Sequence, residues 1–301
     1  MSRESTFIAA LRALAPHAAA RGLADDCAVL DFGGETLVMT HDMMVEGVHW
    51  LAGQDPADVA WKLVATNLSD LAAKGAEPIG VLLGYMLGAD DARFLAGLAE
   101  ALEAFAVPLL GGDTVSGGAG AQAVGLTALG RATCRPVPSR SGARPGDVVW
   151  ITGPVGCAMM GFEALRDGDA AFDTTAFRRP VPRLAEGRAV APLATAMMDV
   201  SDGLLLDATR LAEASGVTLA LDSAAVPVPG ALPPGRRMEA LAWGDDYELL
   251  AVLPVGIEAP CPAYRIGTVL RAGPHPLLVD SVPPAGRIGY EHGNAPLDTP
   301  Q

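Results

Sequence analysis

Six aspartates in this chain stand where an ordinary surface charge would be out of place. Asp25 and Asp26 precede the apolar run Cys27-Ala28-Val29-Leu30, and Asp42 follows Leu37-Val38-Met39-Thr40-His41. Asp113 follows Val107 to Leu110 and the pair Gly111-Gly112; Asp199 lies within Met197-Met198-Asp199-Val200, and Asp202 precedes Gly203. In α/β proteins ligands gather beyond the carboxyl ends of strands, so acidic groups placed there would concentrate negative charge at one locus. Such a cluster is costly unless cations neutralise it. Carboxylate oxygens without His or Cys partners suit hard cations, above all Mg²⁺ when phosphates complete its shell. The competing reading makes several of these aspartates turn formers or caps, and Asp202, before Gly203 and a helix, fits a cap as well as a ligand.

Helical periodicity over Pro56 to Lys74 adds Leu63, Asn67, Asp70 and Lys74 on one face. On a surface helix Asp70 would pair with Lys74 at i, i+4. Flanked by Leu68, Leu71, Ala72 and Ala73, it reads better as a buried polar group. Lys62 and Lys74 are the only lysines, and no G-x-x-x-x-G-K-[ST] is present, so a P-loop kinase is excluded on its own motif. Protein-kinase, G-x-S-x-G and H-E-x-x-H signatures are absent as well. Gly153-Pro154-Val155-Gly156 could cradle a phosphate, but a tight strand-to-helix turn is the better reading. Any phosphate chemistry here therefore runs on metal ions and backbone, not on a Walker lysine.

The elements that must position these groups follow from pattern. Thr36 to Thr40, Ile79 to Leu87, Val107 to Leu110, Ala121 to Ala132, Val148 to Thr152, Met197 to Val200 and Val217 to Leu221 read as strands. Pro56 to Lys74 (ended by Gly75), Asp91 to Ala106, Gly156 to Leu165 and Leu204 to Ala214 read as helices, and 111–120 and 223–238 as loops. Phe7, Ile8, Leu11 and Leu14 give an N-terminal amphipathic helix, interrupted by Glu4 and Arg12 as a targeting segment would not be. The Pro- and Gly-rich stretch from Arg135 to Asp147 marks a domain boundary, giving two α+β domains joined near residue 140.

At 301 residues and a formal charge of −14, from 35 acidic and 21 basic side chains, the chain repels nucleic acid and anionic lipid. No apolar run approaches a membrane span. Cys27, Cys134, Cys157 and Cys261 are widely spaced and read as reduced, small buried hydrophobes of a cytoplasmic protein.

Seven segments, in order and spacing, resemble thiamine-monophosphate kinase over nearly the whole chain: Asp25-Asp26-Cys27-Ala28-Val29, Thr40-His41-Asp42 through Val48-His49, Asn67-Leu68-Ser69-Asp70-Leu71-Ala72-Ala73, Gly111-Gly112-Asp113-Thr114, Ser139-Arg140-Ser141-Gly142, Asp199-Val200-Ser201-Asp202-Gly203 and Gly244-Asp245-Asp246-Tyr247-Glu248-Leu249-Leu250. The resemblance implies a two-domain α+β fold like that of aminoimidazole ribonucleotide synthetase. Residues 1–138 would bind metal and ATP and dimerise through their sheet, and 139–301 would form a C-terminal α/β sandwich completing both sites. It further implies several Mg²⁺ ions on Asp26, Thr40, His41, Asp42, Asp70, Asp113, Asp199 and Asp202. ATP would contact Gly112, Asp113, Arg140 and Ser201, and thiamine monophosphate His49, Asp245 and Tyr290, in a cytoplasmic homodimer that transfers the phosphoryl group directly. The chain departs from the family pattern at His41 (usually Thr), Asp245 (usually Glu) and Ala24 (usually Gly). A superfamily sibling with another acceptor, or a nucleotide-binding module without turnover, are the rival readings.

Overall fold

The computed structural model describes residues 3–118 and 120–291. After the helix α1 (Arg3–Arg12) and a 3-10 turn over Ala18–Leu23, five strands form the first sheet. They are β1 (Ala28–Phe32), β2 (Glu35–Val45), β3 (Ala76–Met86), β4 (Leu109–Val115) and β5 (Ala123–Ala132), in the order β1-β2-β5-β3-β4. Only the β3–β4 pair is parallel. Helices α2 (Pro56–Ala72) and α3 (Asp91–Ala104) join the core on the sheet face carrying Val38, Met44, Val81 and Leu126.

The second sheet has six strands: β6 (Val148–Ile151), β7 (Ala196–Asp199), β8 (Val217–Leu221), β9 (Leu249–Leu253), β10 (Tyr264–Arg271) and β11 (Leu277–Val279). Their order is β11-β8-β10-β6-β9-β7. One face packs with helix α7 (Leu204–Ser215), through Leu204, Leu205 and Leu211, against Met198, Leu219, Leu250 and Ile266. Four shorter elements complete this half: α4 (Cys157–Asp167), α5 (Thr175–Arg178), α6 (Leu184–Val190) and α8 (Arg237–Ala242).

Helix α2 lies between the two halves. Asp55 caps it through the Ala57 N–H, Pro56 opens it, and Gly75, at φ 59°, follows its end. Fifteen of its 17 residues are buried, which a helix tolerates only when neighbours cover it all round. The first sheet and α3 cover one side; α5, α6 and β7 cover the other. Two glycines permit that closeness: a Cβ on Gly97 of α3 would lie 2.3 Å from Ala57 Cα, and one on Gly187 of α6 would lie 2.1 Å from the Ala72 carbonyl oxygen.

Because α2 is covered all round, its polar side chains find partners in the protein. Asp58 pairs with Arg178 and Arg179, Lys62 with Asp245, Ser69 with Asp199, and Lys74 with Asp25 and Asp26. Asp70 is thus buried, as its apolar flanks suggested, but Lys74 turns away from it.

Some expectations change. Gly111 to Val115 is strand, not loop, since β4 runs through the glycines in extended conformation beside β3. Helix α1 forms, yet Phe7 and Leu14 stay exposed, so its apolar side is only partly covered. Of the cysteines, all free, only Cys27 is fully buried. Gly156 N–H donates to Asp246 at 2.9 Å, so the loop before α4 is a turn with its donor taken rather than a phosphate cradle. No helix among the described residues is long and apolar enough to cross a membrane.

Gly187→Ala pushes a methyl into the backbone of α2 and is expected to cost about 1–3 kcal/mol. Chemical denaturation with an unchanged m-value would register it, and wild-type stability would refute the close-packing account.

Candidate active site

The site is a cavity of about 460 Å³ where both halves meet α2. Asp26, Asp42, His49, Asp70, Arg140, Asp199, Ser201, Asp202, Asp245 and Tyr290 line it, so ten of the residues picked from sequence converge. The strand-end argument holds for Asp199, the last residue of β7, and for Asp202 just beyond it. The others depart from it: Asp26 precedes β1, and Asp42 and Asp113 lie within β2 and β4, whereas Asp70 is on α2, the helix expected to carry it. Asp42 reaches the cavity because alternate residues of β2 face the helix, and its backbone N–H donates to Asn67 Oδ1 at 3.0 Å.

At one end Asp26, Asp70 and Asp199 bring carboxylate oxygens within 4.8 Å of one another. Thr40, behind this group, donates its hydroxyl to Asp70, and Ser69 donates to Asp199 at 2.6 Å. Charge is unevenly balanced. Lys74 Nζ lies 2.5 Å from both Asp25 Oδ1 and Asp26 Oδ2, Arg21 pairs with Asp25, and Arg140 Nε donates to Asp26 Oδ1 at 2.7 Å. Burial opposes ionisation of Asp25, but Lys74 and Arg21 outweigh it and hold its pKa at about 2.

On the other side of the cluster the balance is reversed. Burial, with Asp202 and Asp26 adding repulsion against the attraction of His41, lifts Asp42 to about 6. Burial, with Asp26 and Asp42 adding to it, lifts Asp199 to about 7 despite Ser69 and Arg140. Burial and the charges of Asp42, Asp199 and Asp26 push Asp70 well above the usual carboxylate range.

This oxygen-only donor set fits a hard divalent cation. Asp26 Oδ2 already has the Lys74 ammonium at 2.5 Å, so the capacity for a cation lies chiefly with Asp70 and Asp199, whose hydrogen-bond partners are the neutral hydroxyls of Thr40 and Ser69.

Four of the residues picked from sequence do not line the cavity. Thr40 sits behind the cluster, its hydroxyl directed at the Asp70 carboxylate and the Asp26 carbonyl oxygen. The His41 side chain lies on the opposite sheet face, 2.9 Å from Thr127 Oγ1, and does not enter the cavity. Gly112 and Asp113 lie on edge strand β4, and Asp113 occupies the sheet row of Gly84, Gly125 and Met43 on the exposed face. At Ala24 φ is −125°, so that position needs no glycine.

The other end of the cavity is aromatic. Phe162, Phe177 and Trp243 line it, with Phe162 centred 5.3 Å from each of the other two rings. The segment 244–248 is fixed by its own side chains: Asp246 accepts from Gly156 N–H, Tyr247 hydroxyl donates to Asp245 at 2.8 Å, and Glu248 binds Arg183 at 2.5 Å. Sequence reasoning passed over Lys62, Phe162, Phe177 and Trp243 as site residues. The lysine carried a signal, being one of only two in the chain and both on one apolar helical stretch; the aromatics carried none.

Raised carboxylate pKa values mean that folding favours the protonated forms of Asp42, Asp70 and Asp199. The contribution of Asp42 and Asp199 to stability is whole below about pH 4 and is lost as pH rises through about 6 to 7. In chelator, the melting temperature is expected to fall across that window, Asp199→Asn to flatten the fall, and saturating Mg²⁺ to suppress it. A pH-independent melting temperature in chelator would contradict this.

Comparison with known proteins places these features in a lineage. The family AIR synthase related protein, N-terminal domain, matches residues 24–132, and AIR synthase related protein, C-terminal domain, matches 144–275. Thiamine-monophosphate kinase of Caulobacter vibrioides is 41% identical over 250 residues, covering 77% of this chain and 70% of that protein. The Escherichia coli protein of the same name is 36% identical over 254 residues, covering 77% and 76%. The solved structure of AaThiL complexed with AMPPCP and TMP superposes with a TM-score of 0.86 at 26% identity, covering 97% of each chain. With its ordered motifs, its paired domains and its acid-and-aromatic cavity, this chain belongs to the thiamine-monophosphate kinase family.

Proposed function

We infer that this chain transfers the γ-phosphoryl group of ATP to thiamine monophosphate, giving thiamine diphosphate and ADP. One observation carries the reading: a single cavity has an oxygen-only carboxylate cluster at one end and an aromatic, charge-balanced end at the other. The first suits phosphates held with divalent cations, and the second suits a flat organic ring.

The acceptor is a phosphate oxygen that is already ionised, so no strong general base is required; the obstacle is one polyanion approaching another. Mg²⁺ held by Asp26, Asp42, Asp70, Asp199 and Asp202, with Thr40 and the His41 carbonyl adjacent, would neutralise and align the two phosphates. The protein's own part is positioning. Thr40 and Ser69 orient Asp70 and Asp199, Asn67 fixes the backbone at Asp42, and Asp26 holds the Arg140 guanidinium at the cavity wall. Arg140 and Ser201 are assigned to ATP, and His49, Asp245 and Tyr290 to thiamine monophosphate. Burial pushes the Cys27 thiol well up, which makes it a poor nucleophile, and the transfer is assigned as direct. The reaction belongs to the cytoplasm, where ATP and Mg²⁺ are available.

Purified protein with ATP, Mg²⁺ and thiamine monophosphate should form thiamine diphosphate and ADP one to one, abolished by chelator. A labelled protein after mixing with γ-labelled ATP would refute direct transfer, and ADP without diphosphate would refute the acceptor.

The face of the first sheet turned away from α2 exposes Met43 at 57%, Leu82 at 40% and Val115 at 52%. A second copy of this chain is the proposed cover, forming a homodimer through the two sheets. Asp113 and Gly112 would then act on ATP across the interface, since within one copy Asp113 lies three strands from Asp42 and on the other face. Mixing inactive Asp42→Asn with inactive Asp113→Asn copies should restore about a quarter of the wild-type sites. No restoration, or a monomer by light scattering, would assign Asp113 no such role.

A further inference from the structure

Both lysines of this chain are buried side chains of α2 or its end, at 1% and 0% exposure for Lys62 and Lys74. Lys74 serves the carboxylates beside the acidic cluster. Lys62 lies at the opposite end, against the aromatic part of the cavity. Its Nζ is 2.9 Å from Asp245 Oδ2, 3.0 Å from the His49 carbonyl oxygen and 3.9 Å from the centre of the Phe177 ring. An ammonium withdrawn from water this far is held only by good partners, and among the described residues its one charged partner is Asp245.

The pair has a geometric consequence. Asp245 stands on a connecting segment at φ 65°, where a short carboxylate would otherwise be free to rotate. Lys62 takes Oδ2, and the Tyr247 hydroxyl takes Oδ1 at 2.8 Å. Both oxygens are fixed, and each retains acceptor capacity in a residue that lines the cavity. Lys62 also cancels the Asp245 charge, so this end offers a directed acceptor without the net negative charge of the metal end. It suits a flat ring with an amino edge and gives a phosphate no fixed cation of its own.

We propose that Lys62 is a positioning residue for substrate specificity: it holds Asp245 so that the carboxylate accepts from the amino group of the acceptor's aminopyrimidine ring. This rests on the kinase reading above and deepens it.

The test is steady-state kinetics, with melting temperature, on Lys62→Met, Asp245→Ala and their combination. Lys62→Met should raise KM for thiamine monophosphate by about 10–100-fold, the range for a lost hydrogen bond to a charged group, with KM for ATP little changed. In the Asp245→Ala background the same substitution should change KM for thiamine monophosphate less than about threefold, because the group it positions is gone. An acceptor analogue lacking the ring amino group should be discriminated against by the wild type and not by Lys62→Met.

Since Lys62→Met leaves a carboxylate unpaired, Lys62→Met with Asp245→Asn serves as the neutral pair; it should regain thermal stability while keeping the raised KM. A folded Lys62→Met protein with wild-type KM, additive effects in the double variant, or parallel losses for ATP and acceptor that track melting temperature would each overturn the inference. Wild-type protein that phosphorylates no thiamine monophosphate would overturn the kinase reading instead.

Discussion

Helix α2 and the turn that ends it must bury two ammonium groups, two carboxylates and several neutral polar side chains between two domains, and much of the site follows from how that is done. Leaving any of these charges unpaired in the interior would be costly. Their partners come from well apart in the sequence: Asp25 and Asp26 before β1, Thr40 on β2, Arg178 and Arg179 near α5, Asp199 on β7 and Asp245 after α8. The helix therefore aligns the two halves and positions the reacting groups through the same contacts. A displacement of either domain along α2 would break several charged contacts together.

Charge is divided along the helix in a way that suits the reaction. Fixed cations, Lys74, Arg21 and Arg140, neutralise Asp25 and Asp26 permanently, so the segment carrying them is set before any ligand arrives. Asp42, Asp70 and Asp199 have mainly neutral donors and one another for company, and burial and mutual repulsion disfavour their ionisation. In the proposed reaction, cations would relieve that part of the site, and cation binding would be tied to the state competent for two phosphates. At the far end Lys62 and Asp245 cancel, and aromatic rings replace charge. One cavity thus offers a charged end and an aromatic, charge-balanced end.

The amino-acid sequence by itself determined the chemistry on offer: carboxylates against apolar runs, no Walker lysine, and ordered motifs that identify the family. Long periodic segments such as Pro56 to Ala72 and Leu204 to Ser215 were legible because their neighbours within one turn dictate them. Strands β9, β10 and β11 were not, since pairing with distant strands stabilises them and local pattern hardly does. The glycines of β4 read as a loop for the same reason. Strand β1, paired with the adjacent β2 across Gly33-Gly34, was passed over although its signal is local. Only the tertiary structure decided which carboxylates meet. It turned Lys74 from Asp70 to Asp25 and Asp26, sent the His41 side chain to the face opposite Asp42, left Asp113 on an open sheet edge, and set Lys62 against Asp245 from 183 residues away. Sequence specifies which charges exist, whereas their partners depend on long-range packing that no local window contains.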